Sequence, residues 1–149
     1  MAIRSFPFNS INGDRKFNAT HWAEYFATFI SNGVFPNPST NMQVMANDDM
    51  TITVKKGVSW IDGHIGINDN DYILQIEPAD GILNRKDRVV VRWDTLDREI
   101  RVEIKKGELA SNPTAPTLQR DADAYELGLA DIAVNAGVIS VSQSNIIDL

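Results

Sequence analysis

Ile100, Val102 and Ile104 alternate with Arg101, Glu103 and Lys105, and this strict period of two constrains the fold more than any other feature of the chain. Successive side chains on a strand point to opposite faces, so this segment reads as a strand with one dry face and one wet face, as in antiparallel sheets. Its dry face needs a second layer to cover it. The same period begins at Met42. Strands are expected over Met42–Ala46, Met50–Lys55, Val58–Ile61, His64–Ile67, Tyr72–Glu77, Arg88–Asp94 and Glu99–Lys106. Turn-forming residues separate them, and Asp62-Gly63 between two apolar runs specifies a tight hairpin. Leu83-Asn84-Arg85-Lys86-Asp87 reads as a turn ahead of Val89-Val90-Val91, a β-branched run buried on at least one face.

Before Met42 the pattern is different. Residues 1–17 are expected to be an extended arm, because Phe6-Pro7-Phe8 forbids helix and Asn12-Gly13-Asp14 signals a turn. Asn18 suits an N-cap, and Trp22, Phe26, Phe29 and Ile30 follow at helical spacing, so one apolar stripe is expected to face a core. Ser31-Asn32-Gly33 is expected to end this helix. Phe35-Pro36-Asn37-Pro38-Ser39 is then a stiff connector. Ala110–Thr117 is a proline-rich connection. Tyr125–Val134 fits strand through Tyr125, Leu127 and Leu129, and helix through Tyr125, Leu129 and Ile132; strand is the reading adopted. A short last strand is expected over Val138–Val141. The fold class is thus α+β, one N-terminal amphipathic helix packed on a mostly antiparallel β-sheet or barrel-like sandwich, with residues 18–149 forming a single domain.

At 149 residues the chain is long enough to bury roughly 70% of the surface that its unfolded form exposes. A net charge of −6 opposes nucleic-acid binding, which needs a positive field. The absence of cysteine removes disulfides and thiolate metal sites. No apolar run reaches the ~18 residues of a membrane span, and the start lacks the apolar core of a signal peptide.

No constellation for catalysis emerges. His21 and His64 have no nucleophile elbow beside them and no partners spaced for zinc, and they read as surface or packing residues. Asn68-Asp69-Asn70-Asp71 fails as a calcium loop, because the sixth and twelfth positions from Asp69 are Leu74 and Asp80 where glycine and glutamate are required. Asp121, Asp123 and Glu126 could form paired carboxylates for glycoside cleavage, but acids ahead of an apolar run are commonly a solvated turn. Trp22, Trp60 and Trp93 read as core, interface or sugar-stacking residues, in that order. No cofactor is expected.

Several segments, taken in order, resemble one family. They are Phe6-Pro7-Phe8-Asn9-Ser10, the Trp22–Ile30 helix, Gly33-Val34-Phe35-Pro36-Asn37-Pro38, Val58-Ser59-Trp60-Ile61-Asp62-Gly63, Gly81-Ile82-Leu83-Asn84-Arg85-Lys86-Asp87-Arg88, Pro113-Thr114-Ala115-Pro116 and Gln143-Ser144-Asn145-Ile146-Ile147-Asp148. Together they resemble the N-terminal module of upper-baseplate and tail-fibre proteins from phages and prophages of Gram-positive bacteria. The resemblance implies a non-enzymatic virion protein of the tail tip, assembled in the bacterial cytoplasm. It implies a homo-oligomer, with a trimer favoured, that docks on the distal-tail or baseplate hub protein and carries a receptor-binding part. The sequence ends at Leu149, where a stalk is expected to begin. Neither nucleic acid nor membrane insertion is expected. Symmetric assembly would draw on Ile3, Phe6 and Phe8 of the arm and on Phe35, Pro36 and Pro38 of the connector, although both segments could equally be local covers for the sheet. The rival reading is a carbohydrate-binding module that contacts cell-wall saccharide.

Overall fold

The computed structural model describes residues 3–149. One helix, α1 (Ala19–Ala27), precedes ten strands: β1 (Gly33–Val34), β2 (Val44–Ala46), β3 (Thr51–Val54), β4 (Gly57–Ile61), β5 (His64–Asn68), β6 (Tyr72–Gln75), β7 (Arg85–Asp94), β8 (Glu99–Lys105), β9 (Ala124–Val134) and β10 (Ile146–Asp148). They form three sheets, ordered β1-β4-β5, β2-β3-β6 and β10-β9-β7-β8, and every strand pair is antiparallel. The Asp62-Gly63 turn has both residues at positive φ, as a two-residue hairpin requires. The ambiguous segment around Tyr125–Val134 is the strand β9.

The four-stranded sheet separates its residues as the period of two demands. Val89 and Val91 of β7, Val102 of β8 and Ile132 of β9 face the common core, where Ile52, Val54 and Ile61 of the smaller sheets meet them. Each such fully buried valine or isoleucine contributes about 1.5–3 kcal/mol. A bulge in β9 leaves Leu129 unpaired between the Val89–Ala130 and Val90–Gly128 pairs, so the adjacent Leu129 and Ala130 both reach the core.

Three expectations are corrected. The sheets do not close into a barrel. Where closure would need a ladder between β2 and β10, the Gln143 side chain takes that place: Ala46 N–H donates to its Oε1 at 2.8 Å, and its Nε2 donates to the Val44 carbonyl at 3.3 Å. Val138–Val141 is not a strand; Val138 N–H closes the Gly137 turn on the Asn135 carbonyl and Val141 N–H donates to the Asp49 carbonyl, while the last strand is Ile146–Asp148 on β9. β7 begins at Arg85 instead of Arg88, because Arg85 and Asp87 are a buried ion pair inside the strand (2.8 Å) and not a solvated turn.

The helix departs furthest from expectation. Asn18 does cap it: its side chain accepts the Thr20 and His21 amides, and His21 Nδ1 accepts the Asn18 amide in return. However, α1 ends at Ala27, short of Ser31-Asn32-Gly33, and Gly33 opens β1 instead. Its stripe does not face a core. Only Ala23 is buried, whereas Trp22, Tyr25, Phe26 and Phe29 remain 39–67% exposed. The sheets already fill their shared interior with aliphatic groups, so the helix docks by close backbone approach, with Gly63 against the Ala23 carbonyl. A Cβ at Gly63 would overlap that carbonyl, and the positive φ there is strained for any other residue. Gly63→Ala is therefore expected to cost at least about 1 kcal/mol and to release α1 selectively. Hydrogen exchange should speed up at Ala19–Ala27 with the β7 and β9 amides unchanged; retained protection of α1 would show that other contacts hold it.

Candidate functional site

The arm lies along α1 and not on a sheet. Arg4 pairs with Glu24 at 2.8 Å, and Phe6 sits half-buried with its ring edge-on to His21 at 5.3 Å and 6.4 Å from Phe17. Ile3 and Phe8 are left 80% and 57% exposed. The connector behaves differently. Phe35 donates its N–H to the Val58 carbonyl and packs edge-on to Trp60 at 6.1 Å, and the Pro38 carbonyl accepts the Asn41 amide. Phe35 is thus a half-buried cover for β4; Pro38 is half-buried as well, and Pro36 is exposed.

Helix α1 joins these two segments, and it is the part that sequence reasoning assigned to the core. Trp22 stacks on Phe26, Phe26 meets Trp60 edge-on at 6.1 Å, and Tyr25 meets Phe29 edge-on at 5.2 Å. An aromatic row therefore runs from α1 across Trp60 to Phe35, its α1 members more than a third exposed. The signal was present in the sequence: three aromatic rings on a short helix, with Phe29 just beyond its end, form a face too wide for one alanine contact to bury.

A second apolar surface lies at the opposite end of β7. There Ile82 and Ile139 are 87% and 88% exposed, with Leu83 and Leu109 beside them in sequence-distant loops. Those loops are bound together: the Gly137 amide donates to the Asp80 carbonyl at 2.7 Å, Ala136 N–H donates to Asn84 Oδ1 at 2.8 Å, and Asn84 and Ala110 exchange backbone bonds. The Asp80 carboxyl accepts the Leu83 and Ile82 amides, which hold its pKa below the ordinary value.

The outer face of the four-stranded sheet is a buried charge network. Arg88 grips Asp131 across the ladder with two bonds, at 2.7 and 2.9 Å. Glu126 is fully buried and accepts from Arg92, Lys105 and the Gln119 amide, each at 2.7 Å. Burial pushes its pKa up, but the Gln119 amide, Lys105 and Arg92 outweigh burial and leave it lowered. Asp121 closes a turn by accepting the Asp123 and Ala124 amides. The Glu126 and Asp121 oxygens are therefore committed to holding chain in place. Asn68 likewise serves the backbone, donating to the Val54 and Lys55 carbonyls. Among the described residues, no group of three potential metal ligands comes together, and no helix is long and apolar enough to cross a membrane.

Two outcomes follow from this network. Glu126→Ala strands Arg92 and Lys105 and should destabilise the fold by about 3 kcal/mol in chemical denaturation. Asp94 is held at about 2, first by the Asp97 amide, then by Arg92, Arg101 and the Leu96 amide acting against burial. A lowered carboxyl stabilises the fold above its unfolded value, and that contribution fades as pH falls. Stability should thus drop from about pH 4 toward pH 2, and Asp94→Asn should flatten that slope in acid titrations followed by circular dichroism.

Set against known proteins, the chain matches no family model, no curated protein and no solved structure.

Proposed function

We propose that this chain is a structural module of a phage or prophage tail tip, joining a receptor-binding or fibre part to the tail through symmetric self-assembly. It acts without catalysis, within the virion, on the distal-tail or baseplate hub. The observation that carries this reading is the aromatic face of α1 with the arm laid beside it. Apolar surface that is gathered on one element and left in water favours cover by another polypeptide. The two contact surfaces required by a ring of subunits have counterparts at the two ends of β7, about 30 Å apart along a ten-residue strand. Ile3 and Phe8 belong to the first surface together with Trp22, Phe26 and Phe29. Ile82 and Ile139 make the second. A homotrimer is the favoured state.

Size-exclusion chromatography with light scattering, on the chain alone and mixed with the hub protein, tests this. A defined homo-oligomer that co-elutes with the hub is expected. Phe8→Ser combined with Phe29→Ser should shift the assembly toward monomer, with the far-ultraviolet circular dichroism unchanged. A monomer that ignores the hub, or an oligomer indifferent to the double substitution, overturns the reading.

A further inference from the structure

A cleft of about 460 Å³ opens between the start of α1, the start of β5 and the β7–β8 turn. Its volume falls within the roughly 300–1,000 Å³ of small-ligand sites. His64 and Trp93 line it as a stacked pair, with centroids 5.0 Å apart and planes at 29°. His64 Nδ1 lies 3.0 Å from the Asp62 carbonyl, which fixes the ring against the indole. Ile65 and Ile100 extend the apolar lining, and Thr20 adds a hydroxyl at the rim.

The charges around this cleft are unevenly spent. Asp94 accepts the Leu96 and Asp97 amides and pairs with Arg92 and Arg101, while Glu99 and Asp97 both pair with Arg101. Arg101 is thus shared among Asp94, Asp97, Glu99 and Glu103, and Arg92 between Asp94 and Glu126. Arg98 is the exception among the arginines. The other arginines, at positions 4, 15, 85, 88, 92, 101 and 120, each have a carboxylate or carbonyl partner. Arg98 has none among the described residues, although it lines the cleft and is held at φ 56 in a turn pinned by Asp94.

We infer that this cleft binds a saccharide bearing one carboxylate or phosphate group. A pyranose ring presents an apolar C–H face suited to the aromatic and aliphatic lining, its hydroxyls reach Thr20, and its anionic group meets the Arg98 fork. The inference goes beyond the assembly reading and does not depend on it, because the cleft uses neither the arm nor the aromatic face of α1.

The test uses the full ¹⁵N-labelled chain and follows the Trp93 indole N–H, identified through Trp93→Phe. The probes are glucuronate, glucose 6-phosphate, glucose, inorganic phosphate and adenosine monophosphate. Saturable shifts are expected with glucuronate and glucose 6-phosphate, with glucose about tenfold weaker. Arg98→Gln, a change at an exposed position, should bring the two anionic sugars down to the level of glucose. A shift with inorganic phosphate equal to that with glucose 6-phosphate would reduce the site to an anion contact and overturn the inference. Tighter binding of adenosine monophosphate than of either sugar overturns the saccharide class. No shift with any probe, or binding that ignores Arg98→Gln, overturns the site.

Discussion

Glu126 is the group on which the outer half of this molecule depends. Residues 106–123 contain no helix or strand, an unusual length of irregular chain for a small fold. They lie against a sheet face because that face supplies the bonds their backbone cannot make internally. Lys105 donates to the Thr117 carbonyl, Arg88 to the Pro116 carbonyl, and the Gln119 amide donates to Glu126. Gly107 adds the fourth tie through Asp87, at a place where any side chain would collide with the Lys86 backbone. The charged face thereby fulfils the accounting that every buried backbone group requires. Its cations and anions balance only as a set.

The opposite half is organised by exclusion. With the interior filled by aliphatic residues of three sheets, no cavity remains for the rings of α1, and the helix lies outside as an incomplete layer. Gly63 sets how close it comes, and Trp60 sets where its aromatic row continues. Trp60 Nε1 is itself buried without an acceptor, enclosed by the edge-on rings of Phe26 and Phe35. The proposed interface and the proposed saccharide cleft share no residue, so one could be occupied while the other is covered.

Much of the sheet framework was legible because period two is a local property. Ile100, Val102 and Ile104 face inward as their alternation says, and Asp62-Gly63 turns where that dipeptide predicts. The failures share a physical cause: they depend on what a segment meets and not on what it contains. Arg85-Lys86-Asp87 looks like a solvated turn until Arg85 is seen donating to the Pro78 and Glu77 carbonyls from within the core. The α1 stripe looks like a core face until the core is found already full. The β2 edge is met by Gln143, a residue whose type gives no hint that its amide will occupy a strand edge 97 residues away. Of the arm and connector residues expected at an assembly interface, Phe35 packs on Trp60 of β4, while Ile3, Phe8 and Pro36 stay exposed. The aromatic face of the helix went unread as a surface because amphipathic helices usually hide such a face.

The Gln143 latch has a genetic consequence. A backbone ladder is nearly indifferent to sequence, because every residue except proline offers the same donor and acceptor. A contact made by a side-chain amide is different: the bonds at this edge of β2 depend on which residue stands at position 143. A substitution there can therefore remove both bonds to β2 while every strand ladder keeps its own backbone pairing.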